Sequence, residues 1–541
     1  MPDSMSRPVT VNDVLDGHVT LEIESLDRLY LTLWVPQLVM PGQVATFLGR
    51  HQGLVIPSPA TMERLGTRFR QAVLSFAQNN GVPVIRFAKD ERKIERVRPL
   101  LEQAEQAGSS RVVAIGVAQE YQNVWSAAKG SSGRAVWFDF HRAQRRVTCY
   151  YFYLWDEDFG GCFIKLCAYF PYSGKVWVNG HEWAKAQARR EGVAFTALSN
   201  GFAACPEPQR LQEICERLQP GTIRVFIERW LARLPLPLTA RDRDAGYWWD
   251  VSMRQIEVSR TLVFDAPRRA RAFFEALVAD NLDVGRPDNV EILFKQSRAG
   301  RKPAAPKDGY RTAIDRDNDG VVVNAFWKHS RIKQYLKDGR ALRIETVVND
   351  PNDLGVLRRL EHLPELQAKA RDANRRLLHH ERVGQGCVFE SPAFARISCP
   401  TVEDGGQRAP ALRFGDPRVM ALAGALAACV HTVTGTVTNK SLRALVNPLL
   451  GTAYGSARMS YDLRRLRLKG LIERVPGSNA YRITETGLRF AVFYTKLHDR
   501  LLTPLMAADK PPAPTEVRQA LATLQRHTDR SIGLARLAPV T

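Results

Sequence analysis

The chain lacks any C-x-x-C pair, any apolar run long enough to cross a bilayer, and any excess of acidic charge. Its eight cysteines (Cys149, Cys162, Cys167, Cys205, Cys215, Cys387, Cys399 and Cys429) are scattered, mostly inside apolar runs. That spacing argues against a zinc site and a disulfide scaffold and leaves core thiols as the expectation. The longest apolar run, Val419 to Val430, is far shorter than the ~20 residues of a membrane helix. The opening Met-Pro-Asp-Ser-Met-Ser-Arg has no apolar signal core, so a cytosolic (cytoplasmic) chain without a membrane partner is expected. Carboxylates are outnumbered: 56 Asp+Glu face 77 Lys+Arg, a formal charge of +21. A field of that sign attracts polyanions, nucleic acid first. The charge is spread along the chain and not gathered into a basic amphipathic helix, which argues against an anionic membrane.

Apolar material is present in the amount a folded chain needs. With 541 residues, 45% hydrophobic content and ten tryptophans, several compact units are expected. The fold class read from the pattern is α+β multidomain. It comprises an N-terminal α/β unit (1–118), an aromatic antiparallel sheet with helices (119–295) and a basic linker (296–309). A small α+β segment (310–402), a winged helix (411–507) and a Pro-rich linker with a terminal helix (508–541) complete it. In the first unit, Val19–Val35 reads as strand, Thr61–Gln78 and Glu91–Gln106 as helices, and Val82–Phe87 and Arg111–Gly116 as strands. Gly81 and Gly108 stand where left-handed caps end the two helices. Strands linked by helices pair in parallel. Strands Arg134–Phe140, Val147–Leu154, Cys162–Phe170 and Lys175–Val178 have short connections and read as an antiparallel meander, which loosely resembles the opening of the RNase H-like fold. Helices are expected at His181–Glu191, Pro208–Leu218, Thr222–Leu234 and Pro267–Asn281. The small segment reads as strands Tyr310–Asp315, Val321–His329 and Arg340–Val348 around a helix Ser330–Lys337.

Toward the C-terminus the pattern predicts helices Asp416–Val430, Asn439–Leu449 and Ser456–Lys469, strands Ile472–Val475 and Tyr481–Thr484, and a helix Thr486–Leu505. In the third helix Met459, Leu463 and Leu466 recur at i, i+4, i+7 as one buried stripe, and Gly470 closes it. Opposite that stripe Arg458, Tyr461, Asp462, Arg465 and Lys469 are expected to be exposed, flanked by Arg464 and Arg467. From Ser456 to Arg500 there are ten Lys+Arg and four Asp+Glu. A basic helix of this width fits the DNA major groove. Leu463-Arg-Arg-Leu-Arg-Leu-Lys-Gly-Leu-Ile-Glu-Arg474, followed by Tyr481-Arg-Ile-Thr-Glu-Thr-Gly487, resembles the MarR-like winged-helix regulators, over less than a fifth of the chain. The resemblance implies groove binding by the third helix, with Arg474 near the wing. Taken whole, the chain resembles a group of large bacterial proteins, a likeness that brings no activity with it.

Candidate catalytic carboxylates are Asp139 on a strand, Glu157 and Asp158 at a hairpin tip, and Glu182 opening a helix. Gathered on strand ends, such groups hold Mg²⁺ ions for phosphodiester chemistry; a solvated hairpin turn is the competing reading of Asp156-Glu157-Asp158. His181-Glu182 has groups for acid–base work, and equally suits a helix N-terminus. The aromatic residues Trp137, Phe138, Tyr150 to Tyr153, Trp155, Tyr169 and Phe170 serve either as stacking platforms for single-stranded bases or as sheet core, and alternation allows both. Asp315-Arg-Asp-Asn-Asp-Gly320 opens like a calcium loop but has Phe326 at its twelfth position, so a hairpin turn is expected there. Lys328, Arg331, Lys333 and Lys337, with His329, Arg340 and Arg343, suggest a second phosphate-contact surface, and Tyr335 lies among them. The expectation is a DNA-binding protein with a processing role of mobile-element or replication type, metal-dependent with Mg²⁺ if catalytic. A non-catalytic regulator with a large sensing or oligomerisation region and an RNA-binding scaffold are the alternatives. Duplex DNA is the first partner, single-stranded DNA or RNA the second.

Overall fold

The computed structural model describes residues 11–54, 59–88, 91–132, 135–283, 291–292, 310–317, 320–384, 391–402, 406–430, 435–498 and 515–534. The chain divides into two compact units, and each draws on separate stretches of sequence. The fold is mixed, helices with a large mixed sheet, as the α+β reading expects.

The first unit spans Val19–Asp265 and Lys328–Asn374. Its sheet is built from β1 (Val19–Trp34), β2 (Val84–Arg86), β3 (Arg111–Ser132), β4 (Ala135–Asp156), β5 (Gly160–Cys167) and β6 (Gly174–Asn179). A small hairpin, β7 (Thr196–Leu198) and β8 (Gly201–Ala204), stands apart. Three more strands, β9 (Asp250–Phe264), β10 (Ser330–Lys337) and β11 (Ala341–Val348), complete the sheet in the order β10-β11-β9-β1-β6-β5-β4-β3-β2. β2 and β3 pair in parallel, as their helical connection requires; β4, β5 and β6 pair antiparallel in sequence as the meander reading expects, and β3 adds to them as a further antiparallel strand. The two strands anticipated at Arg134–Phe140 and Val147–Leu154 are one long β4. Residues of 1–118 and 119–295 therefore share a single sheet.

Alternation along the strands fixes two faces. One carries Leu29, Leu31, Leu33, Ile256, Val258, Val176, Ile164, Phe152 and Leu154, all buried. On this side Phe69 of helix Pro59–Asn79 meets Tyr150 edge-on, with ring centres 5.7 Å apart. Gly66 of that helix approaches so closely that a Cβ would lie 2.7 Å from the Ala168 carbonyl oxygen. Gly81 and Gly108 adopt the left-handed conformation expected at the helix ends, with φ of 61° and 71°.

One element is corrected. Ser330–Lys337 is a strand and not a helix. Ile332, Gln334 and Ser330 alternate with half-buried Arg331 and Lys333, and Asp338 and Gly339, with φ of 48° and 65°, make the turn into β11. An Asp-Gly step after an alternating run is a hairpin signal that outweighs the cation periodicity. β9, which received no assignment from the sequence, lies between β1 and β11.

The second unit comprises Met1–His18, Ala266–Trp327 and Arg375–Thr541. Within it, strands Tyr310–Asp317 and Gly320–Trp327 pair antiparallel up to Asp317 opposite Gly320. That pairing fits the hairpin reading of the calcium-like motif, whose residues 318–319 lie outside the described residues. Farther on come helix Pro417–Val430, strand Thr436–Thr438, helices Asn439–Leu450 and Ser456–Leu468, strands Ile472–Arg474 and Ala480–Ile483, and helix Glu485–Lys496. The three strands form a sheet with Ala480–Ile483 in the middle. Met459, Leu463 and Leu466 pack into one core with Leu422, Leu426, Leu442, Val446 and Phe490, as the heptad-like stripe predicts. Gly470 (φ 71°) ends the third helix, and Leu471 N–H returns to Leu466 O at 2.9 Å. Gly487 is forced by packing, since a Cβ there would lie 1.9 Å from the Leu471 carbonyl oxygen.

Candidate functional site

The basic helix Ser456–Leu468 keeps only part of its expected exposed face. Arg458, Tyr461, Arg464 and Arg467 are exposed, as is Arg474 on the strand that follows. Arg465, Lys469 and Asp462 are buried. The reason is a segment well upstream in the sequence. Arg465 donates to the carbonyls of Pro410 and Ala411. Lys469 Nζ donates to Arg396 O at 2.8 Å, Cys399 O at 2.6 Å and Thr401 Oγ1 at 3.0 Å. Asp462 accepts from the Tyr454 hydroxyl and lies 3.4 Å from Arg418. Residues 396–401 and 407–411 thus cover one flank of the helix, and Arg465 and Lys469 anchor them. The remaining stripe runs Ala457, Ser460 and Tyr461, Arg464, Arg467, a helical spacing with one cation per turn toward its end. Arg474 donates to Ser478 O at 3.2 Å and so braces the turn between the last two strands.

The four candidate carboxylates do not assemble. Glu157, Asp158 and Glu182 lie around the β4–β5 turn, but Asp139 is opposite Ala128, seventeen residues up β4 from Asp156. At ~3.3 Å per residue that is about 55 Å of strand. Each of the three near the turn has another task. Glu157 accepts from Ser110 N–H at 3.2 Å and Glu182 from Lys185 at 2.8 Å. Asp158 sits between Arg190 and Arg229; burial pushes its carboxyl up, and the two guanidiniums more than reverse that. The buried carboxylate of this turn is Asp156, which accepts from Arg229 and Trp230, both at 2.7 Å, and from two backbone N–H groups. The turn expected at Asp156-Glu157-Asp158 is present, but Asp156 in it is buried and not solvated.

The second basic surface loses the helix that was to carry it, while Lys328, His329 and Arg340 remain exposed. On β10, Lys333 lies 2.9 Å from Glu345, and Tyr335 is buried with its hydroxyl 3.0 Å from the same carboxylate. Arg343 is wholly buried. Arg331 is half-buried on that strand, Lys337 ends it, and Lys328 is exposed in the turn before it.

What the structure assembles instead is a polar cluster across four neighbouring strands. Leu26 pairs with Val258 and Arg28 with Glu257, so Asp27 is the extra residue of a β-bulge. Its carboxylate accepts from Arg343 at 2.8 Å and from Asn200 Nδ2 at 2.5 Å, with His181 Nε2 3.4 Å away. Ser25 and Ser259 lie 3.3 Å apart beside the imidazole. Helix Gly180–Arg190 supplies His181, and its first residue must be glycine: a Cβ would lie 2.1 Å from Leu26 O. Asn179 caps that helix by accepting from His181 N–H at 2.9 Å, as the capping reading of His181-Glu182 anticipates.

Asp27, Glu257 and Glu345 each place an oxygen within 4.8 Å of the others, all buried. Burial and the neighbouring Glu345 push Glu257 up to about 8. Burial and Asp27 also push Glu345 up, but Lys333, Arg343 and the Glu257 proton hold it below its ordinary value. Burial, Arg343 and Lys185 keep His181 neutral, well below its usual range. Glu257 is therefore the glutamate more readily protonated, while Arg343, Lys333 and, at 3.7 Å from Glu257, Arg28 supply the cations. Among the described residues these three carboxylates are the group that could hold a hard cation, but that charge is already answered by side chains. None was signalled by the sequence as a set, because pairing of distant strands brings them together.

No protein-family model, no curated protein and no solved structure matches the chain. Among the described residues no helix is long and apolar enough to cross a membrane.

Proposed function

We propose that the chain is a DNA-binding protein that docks on a duplex through Pro417–Lys496, folded as a winged helix. The observation that carries this reading is the exposed stripe of Arg458, Tyr461, Arg464 and Arg467 on the third helix, set on an apolar stripe of opposite orientation. Support comes from the order of helices and strands and from the middle position of Ala480–Ile483 in the small sheet. Arginine on such a helix pairs with guanine edges or phosphates, and the braced turn beside Arg474 would act as the wing. Since Asp139 is far from Glu157, Asp158 and Glu182, phosphodiester cleavage by that set finds no support, and the proposal stops at binding.

The test is an anisotropy titration of labelled duplex with the full chain across salt concentrations. Arg464→Ala with Arg467→Ala is expected to weaken binding and to reduce the log–log salt slope by about 1.8, about 0.9 for each phosphate no longer neutralised. Binding unchanged in this variant would move the duplex elsewhere.

A further inference from the structure

The face of the first unit's sheet that bears Arg28 and Glu257 continues away from the polar cluster as two parallel rows of side chains. Tyr30 of β1 pairs with Trp177 of β6, Trp177 with Phe163 of β5, and Phe163 with Tyr153 of β4. Four aromatic residues thus stand in register across four adjacent strands, about 14 Å from first to last. Phe163 and Trp177 are nearly parallel, at 6° and 6.0 Å between ring centres. One step along, Thr32 pairs with Lys175, Lys175 with Lys165, and Lys165 with Tyr151. A cationic row runs beside the aromatic one.

The two rows differ from sheet core in exposure and in charge balance. Tyr30, Trp177, Phe163 and Lys175 are half-buried and Arg254, bulged out of β9 next to Tyr30, is exposed. Tyr153 and Tyr151 are buried beneath helix Lys93–Ala107, whose Leu100 and Leu101 close that end. Lys93 and Lys165 share Glu120. Lys175 bonds only the Thr32 hydroxyl, at 2.7 Å, and among the described residues no carboxylate lies within ion-pair distance of it or of Arg254. Burial first, and then Arg254 and Lys165, bring the Lys175 ammonium down to about 8.

We propose that this face is a single-strand platform, on which bases of single-stranded DNA stack on Tyr30, Trp177 and Phe163 while its phosphates meet Lys175 and Arg254. Rings half-open to solvent offer a stacking surface to any base, and an uncompensated Lys–Arg pair one residue step away supplies the anion-binding charge. The choice of DNA over RNA rests on the duplex-docking reading; the platform itself does not. A protein that holds a duplex with one unit and an unpaired strand with another is suited to sites where the two meet.

The test uses the full chain and a labelled oligothymidine of about 15 nucleotides, within the range one such surface covers. Lys175→Gln with Arg254→Gln is expected to weaken binding about tenfold and to reduce the log–log salt slope by about 1.4, about 0.7 per phosphate neutralised on a single strand. Trp177→Leu is expected to weaken it at least fivefold through the loss of stacking. If the Trp177 variant melts early, the charge variant at half-buried and exposed positions still decides. Arg464→Ala with Arg467→Ala should leave single-strand affinity intact while weakening duplex binding, so the two readings fail separately. Single-strand affinity unchanged in the Lys175/Arg254 variant overturns the platform. Displacement of the oligonucleotide by polyglutamate or anionic vesicles at equal charge, or tighter binding of the matching RNA, overturns the assignment to DNA.

Discussion

Lys469→Met separates an anchoring lysine from a phosphate-binding one. The residue is 1% exposed and its ammonium donates to two carbonyls and a hydroxyl at 2.6 to 3.0 Å. Methionine keeps most of the aliphatic volume and donates nothing, so three acceptors are left in the protein interior. Hydrogen bonds to a charged donor contribute about 1.5–3 kcal/mol each, and stranded acceptors cost comparable amounts without full additivity. A loss of about 3–4 kcal/mol follows, which for a unit of this size is a fall in Tm of about 6–16 °C. Arg467→Ala, by contrast, removes an exposed side chain and should change stability by less than about 0.5 kcal/mol. Thermal melts of the two variants by circular dichroism, with duplex anisotropy on the same samples, make the comparison. A Lys469→Met protein that melts with the wild type and whose salt slope falls by about 0.9 would refute the reasoning, returning Lys469 to the DNA face.

Two further outcomes concern the polar cluster. Glu257 binds its proton up to about pH 8 when folded and to about 4.3 when unfolded. The native state therefore holds more protons in that window, and Glu257 takes stability away as pH rises through it. Glu257→Gln should match the wild type near pH 5 and exceed it by as much as about 4 kcal/mol at pH 8, read by denaturant unfolding; a constant difference across pH would refute the protonation of Glu257. Arg343→Met leaves the Asp27 and Glu345 charges buried without their common cation and should cost about 3–5 kcal/mol, part of which Asp27→Asn restores in the double variant. Additive costs in that cycle would show that the pair is not coupled.

Local signals in the sequence reach as far as local forces do. The apolar stripe of Met459, Leu463 and Leu466, the closing Gly470 and the caps at Gly81 and Gly108 depend on neighbours within a turn or two, and all lie where periodicity puts them. Misplaced residues are those whose environment is set from a distance. Arg465 and Lys469 share the helical position of the exposed arginine stripe, but residues 396–401 and 407–411 cover that flank, and no spacing within the helix encodes that. The cations of β10 mimic a basic helix because Lys333 and Lys337 are four apart, while the alternation that governs is carried by Ile332 and Gln334. Asp27, Glu257 and Glu345 sit on three different strands, and only register unites them. One signal for the platform was in view: alternation in Lys175-Val176-Trp177-Val178 and Phe163-Ile164-Lys165 places cation and ring on the same side of each strand.

The bulge at Asp27 connects the cluster to the platform. Unbroken alternation along β1 would put Leu21, Ile23, Leu29, Leu31 and Leu33 on one face and Arg28 and Tyr30 on the other. Registry with β9 shows otherwise: Leu21 pairs with Val263 and Leu29 with Ile256, seven residues apart on a strand that runs without irregularity there against β11. Leu21 and Leu29 therefore face opposite ways, and Ser25 and Arg28 face the same way. Were Asp27 paired as an ordinary strand residue instead of bulged, Arg28, Tyr30 and Thr32 would turn into the core side and three leucines would take their place on the open face. Asp27 is thus held by Arg343 and Asn200 for a reason beyond its own charge: fixing the bulge fixes which face of β1 is aromatic and cationic, and hence which side of the sheet carries the proposed platform.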